Sequence, residues 1–177
     1  MQPLMAQNIA VASLLVPMAV IIGYMDVRYR RIPNKLVLIT FLGGVILNTF
    51  FAGTAGLLTS LGGSAIAFVL MFFLHAFGTM GAGDVKLFAA IGAVFGSALV
   101  LPTIAVIALF GGVLAITKMV YSGRVRSTMF GVLQFFYGLL PGQKVPQFEV
   151  PSDRSYTLPY GVAICGGSLI AFFLFIT

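Results

Sequence analysis

Acidic residues are almost absent. Asp and Glu together number four, against ten Lys and Arg, and charges of both signs make up 8% of the 177 residues. A soluble domain averages about 25% charged residues. With 60% hydrophobic residues, the chain holds more apolar sequence than a soluble domain of this length can bury, which points to a polytopic membrane protein. Cysteine occurs once, at Cys165, which excludes an internal disulfide and a cysteine-cluster zinc site. The first 25 residues carry no charged side chain, so the basic start of a cleaved signal peptide is missing and the segment reads as a retained first helix. The net charge of +6 raises the question of nucleic acid. In a membrane chain it more often reports topology, because Lys and Arg accumulate in cytoplasmic loops, and no nucleic-acid partner is expected.

The apolar runs set the organisation. Met1 to Met25 is long enough for one crossing, at the roughly 20 residues a crossing needs, with Pro17 as a potential kink. A charged segment over 26–35 follows, where Pro33 disfavours a helical Ile32 and Asn34 is a plausible N-cap. Leu36 to Gly83 contains no Asp, Glu, Lys or Arg and fits two crossings with a turn at 52–56; the second of them runs from about Leu57 to Phe77. Leu87 to Thr117 is also uncharged; Gly96 and Pro102 divide it into two shorter crossings. Within the loop over 121–156, residues 129–137 are apolar but too short to span, and suit the interface. Leu158 to Thr177 makes a final crossing. With six crossings, all ten Lys and Arg fall on one side, in 26–35, 84–86 and 118–154. The expectation is therefore an all-α bundle of six transmembrane helices, a single integral membrane domain over 1–177, with cytoplasmic loops at about 26–35, 78–86 and 118–156 and both termini outside. Gly-Gly pairs at 43–44, 62–63, 111–112 and 166–167 fit close packing of membrane helices.

Two of the four acids stand out. Asp84 lies in Gly81-Ala82-Gly83-Asp84-Val85-Lys86, between two uncharged runs, and Asp26 closes the apolar run from Met1 to Met25. A charge at or in the bilayer costs roughly 2.5–3.5 kcal/mol on insertion scales, which makes such residues functional candidates. Six-crossing parity brings both to the cytoplasmic side. Two carboxylates sharing a site do not both ionise easily, so one can stay protonated while the other acts as base. Such a pair can activate water against a peptide carbonyl, with no metal or other cofactor and no covalent intermediate. Gly81 and Gly83 let the chain turn sharply and a substrate backbone come close. The alternative for either acid is a helix cap or a pairing with Arg28, Arg30 or Lys86. An ion- or proton-coupled transporter using the two acids as a relay and a non-enzymatic assembly factor are the competing functions. His75 reads as a polar residue at a helix end, with proton shuttling as the other possibility. Cys165 sits in an apolar run with no base near it in sequence and makes a poor nucleophile. Arg28, Arg30 and Arg31 suit topology and lipid headgroups.

At this point the sequence resembles a known family. Asp26-Val27-Arg28-Tyr29-Arg30-Arg31-Ile32-Pro33-Asn34 looks like the first-aspartate motif of prepilin peptidases, and Gly81-Ala82-Gly83-Asp84-Val85-Lys86 looks like their GxGD motif. Leu158-Pro159-Tyr160-Gly161 resembles the start of their last helix. The resemblance implies a GxGD membrane aspartyl protease that cuts the leader from type IV prepilins or pseudopilins at the cytoplasmic face of the inner membrane. Asp26 and Asp84 match the catalytic positions, and Gly81, Gly83 and Lys86 would bind or support substrate. Longer members carry an N-terminal segment with paired CxxC motifs and also N-methylate their product; both are missing here, so methylation is not expected. The short form resembles the peptidases of Flp-type (tight adherence) systems or archaeal preflagellin peptidases.

Overall fold

The computed structural model describes residues 2–78, 80–121 and 160–176. The apolar segment at 129–137 lies outside them. The chain divides into two compact units, Met1–Gly111 with Pro159–Thr177, and Gly112–Leu158. The packed core belongs to the first; the described residues of the second are the end of one helix.

Among the described residues all regular structure is helical: α1 (Gln2–Tyr29), α2 (Asn34–Ala76), α3 (Ala82–Tyr121) and α4 (Tyr160–Phe175). The first three are each long and apolar enough to cross a membrane; α4, at 16 residues, is shorter. α1 passes through Pro17 and runs to Tyr29, so Asp26 lies inside its last turn rather than at the start of a loop. Arg30 stops α1 by taking a left-handed conformation (φ 53°), and its amide donates to the Asp26 carbonyl at 3.0 Å. The N-cap of α2 is Pro33 rather than Asn34, which is the first helical residue. Proline's fixed φ suits this position, where no amide is needed.

Six separate helices were expected. The chain instead forms long helices at α2 and α3, each interrupted by one glycine: Gly53, within the turn expected at 52–56, and Gly96, whereas Pro102, the other expected break, lies inside the helix. Gly53 (φ 60°, ψ −139°) and Gly96 (φ 73°, ψ 173°) have non-helical dihedrals in regions that side-chain-bearing residues avoid. Both glycines reverse the chain. A straight helix from 44 to 63 would hold its ends about 28 Å apart. Yet a Cβ on Gly44 would meet the Val94 backbone at 2.8 Å, and one on Gly63 would meet the Gly92 carbonyl. α2 therefore doubles back at Gly53, and both halves pack on the same turn of α3. Likewise Ile91 shares a small void with Ser168, while Ile107 abuts Gly167, so both stretches of α3 run along α4.

Small and polar residues share the interior with large apolar ones such as Leu15, Ile22, Leu87 and Ile164. Ala67, Ser60, Thr40, Thr103 and Ser168 are buried, whereas Leu58 (70% exposed) and Phe50 (80%) face outward. Such a surface is an aggregation hazard in water and suits lipid, where small interior residues let helices approach. The glycine pairs take part as expected: at 43–44, 62–63 and 166–167 at least one member leaves no room for a side chain, whereas Gly112 faces open space. Gly63→Ala would push a methyl group into the Gly92 carbonyl, and overpacking of this kind costs about 1–3 kcal/mol. Thermal unfolding in detergent should therefore show Gly63→Ala clearly destabilised, with Gly112→Ala unchanged or slightly more stable.

Candidate active site

α1 and α4 lie antiparallel, tied at both ends. The Asn8 side chain donates to the Ile176 carbonyl, and at the other end the Gly161 amide donates to Asp26 Oδ2 at 2.7 Å. Gly161 is the second residue of α4, so its amide is one of those a helix leaves without an internal partner. A carboxylate from a different helix supplies the acceptor, and Asp26 is only 7% exposed. A Cβ at position 161 would lie 2.8 Å from Asp26 Oδ2 and 2.9 Å from its Cγ. The glycine is therefore what admits the carboxyl group this close to the backbone.

Asp84 reaches the same end of the bundle from α3. Gly81 immediately precedes the helix, and its carbonyl accepts the Asp84 amide at 3.1 Å and the Val85 amide at 3.3 Å. Asp84 falls in the first turn, where the helix dipole favours a carboxylate, and it is half-buried. Its carboxyl group curls back over Gly81, where a Cβ would lie 3.1 Å from Asp84 Oδ2. A Cβ on Gly83 would lie 3.8 Å from Ile32, which sets the short link between α1 and α2 beside the Gly81–Asp84 turn. Asp26 and Asp84 lie close enough for the charge of one to act on the other. The two sequence candidates thus lie at the same end of the bundle on separate helices.

The remaining candidates separate from this pair. His75 Nδ1 lies 2.7 Å from the Met80 carbonyl, so this nitrogen carries the proton and ties down the turn ahead of Gly81. Lys86 is exposed; two residues from Asp84, it lies roughly 200° around the helix, and it lines a groove with residues of α2. Cys165 is buried. Arg28 and Arg31 are exposed near the end of α1.

Gly161, quoted in the sequence only as the start of the last helix, supports the site, and two residues not singled out there, Asn48 and Ser60, hold the scaffold beside Gly96. Gly161 holds Asp26. Asn48 Nδ2 lies 2.9 Å and 3.1 Å from the Ala93 and Val94 carbonyls, and Ser60 donates to Ala93 at 2.7 Å. In an unbroken helix those carbonyls would accept amides from the turn beyond Gly96. The signal for Asn48 was present: it is an amide in a long uncharged apolar run.

The Asp26–Gly161 bond makes a stability prediction separate from chemistry. Asp26→Asn keeps an acceptor oxygen for the Gly161 amide. Asp26→Ala leaves that buried amide unsatisfied, at about 1–3 kcal/mol. Melting curves in detergent should show the alanine variant well below the asparagine variant; equal melting of the two would mean that the bond contributes nothing.

The model of the type IV leader peptidase family matches residues 13–116, a stretch that includes Asp26, Gly81 and Asp84. No curated protein and no solved structure matches the chain. With more than half of its length matched, the chain belongs to the type IV leader peptidase family, a family of aspartic-type peptidases.

Proposed function

We propose that Asp26 and Asp84 form the catalytic pair, and that the chain cuts the leader of type IV prepilins or pseudopilins, of the Flp type, at the cytoplasmic face of the inner membrane. The observation that carries this reading is that two carboxylates from separate helices lie at one end of the bundle, each within reach of the other's charge. In this mechanism one carboxylate takes a proton from water as the oxygen attacks the scissile carbonyl. The protonated partner donates a hydrogen bond to the developing oxyanion, and a proton then passes to the leaving amine. Asp84, half-buried where Asp26 is nearly enclosed, is the carboxyl group that substrate and water meet first. Gly81 and Gly83 leave room for an extended substrate backbone.

The topology proposed with it has six crossings, since each glycine reversal brings the chain back through the bundle, and one peptidase domain over 1–177. The Lys and Arg bias of the segments at 26–35 and 84–86 supports a cytoplasmic location for the pair.

Asp26→Asn and Asp84→Asn should each lower processing of a co-expressed prepilin by at least about 10²-fold, read as a gel shift at equal membrane levels of enzyme. Normal cleavage by either variant removes that residue from the mechanism. Proton flux in liposomes that depends on Asp84, without cleavage, would instead make the acids a transport relay.

A further inference from the structure

An open groove of about 410 Å³ runs between the start of α2, the second half of α2 and the start of α3. This is within the size range of small-molecule sites, roughly 300–1,000 Å³. Its polar groups gather at one end: Asn34, the first residue of α2, and Lys86 of α3, both exposed. Leu38, Phe41, Phe68 and Ala89 make the walls. Phe41 lies two turns along α2 from Asn34, about 10 Å away, so the groove descends from a cationic mouth into an apolar trough flanked by two aromatic rings.

We infer that this groove binds one phospholipid with a net anionic headgroup, its phosphate at Lys86 and Asn34 and an acyl chain between Phe41 and Phe68. Charge decides the occupant. Among the described residues, the one ionisable group lining the groove is a cation, and Arg31 and Lys35, exposed in the neighbouring link and at the start of α2, add to the positive field. Basic pockets between membrane helices select anionic headgroups in this way. Direction argues against the peptide substrate. Lys86 projects roughly 200° around α3 from Asp84, so a peptide seated in the groove would have its scissile bond turned away from the carboxylate pair. The site is separate from catalysis, and its test does not depend on cleavage.

The full chain, purified in detergent, would be mixed with phosphatidylglycerol or phosphatidylcholine and bound lipid counted by native mass spectrometry. Thermal unfolding would be followed in parallel. Phosphatidylglycerol should be retained preferentially and raise the melting temperature. Lys86→Gln should weaken its retention about fivefold, whereas Arg28→Gln, the same change of charge on α1, should leave it unchanged. Leu38→Trp and Ala89→Leu, which fill the trough from two sides, should each reduce retention, and Asp84→Asn should retain lipid normally. Equal retention of the two lipids overturns the inference. So does equal loss in Lys86→Gln and Arg28→Gln, which would indicate diffuse surface attraction, or retention untouched by both filling variants.

Discussion

In hydrocarbon a backbone amide or carbonyl has no water to turn to, and every one must find its partner within the protein. The rest of the architecture derives from how this chain meets that demand while still reversing direction. Unbroken helix satisfies most groups. The reversals at Gly53 and Gly96 interrupt the ladder, and around Gly96 the Ala93 and Val94 carbonyls are met by Asn48 and Ser60 of α2. At the start of α4 the acceptor is Asp26. Interior polar side chains are thus largely committed to backbone groups. One of the two carboxylates is held by the same bookkeeping that holds the scaffold.

This ties the site to the packing. Helices come close only where side chains are missing, as where Gly63 meets Gly92 and Gly167 meets Ile107. Gly161 extends that logic from helix packing to the pair itself, because the room left by its absent side chain is filled by a carboxyl group. Large apolar side chains that the core does not take are turned outward. Such a distribution is stable when the surroundings are themselves apolar.

Much of this was legible in the sequence, because a scarce residue in an apolar chain is informative. Asp26 and Asp84 stood out by the cost of placing a charge there, and counting crossings put them on one side. The reversals are legible through glycine instead: Gly53 lies in the turn expected at 52–56, and Gly96 is one of the two breaks expected, while Pro102, the other, is carried within the helix. The form of the reversals was not legible, since glycine dihedrals can turn a helix with no loop and leave no compositional trace. The extension of α1 to Tyr29 was hidden because charged residues were taken for loop, although a helix can carry them in its last turn. The partnership of Asp26 with Gly161 joins positions 135 residues apart, a distance over which residue patterns in a single chain carry no pairing information. Asn48 was visible as an anomaly, but its role depended on carbonyls freed elsewhere.

The bond between the first and last helices also has a consequence in time. Ribosomes add roughly 5–20 residues per second, so the 135 positions separating Asp26 from Gly161 take on the order of 10 s to make. Once residue 121 is made, α1 and α3 are both in being, but the amide that fixes Asp26 is not. Newly made chains therefore acquire a fully ordered carboxylate pair only when the last helix inserts.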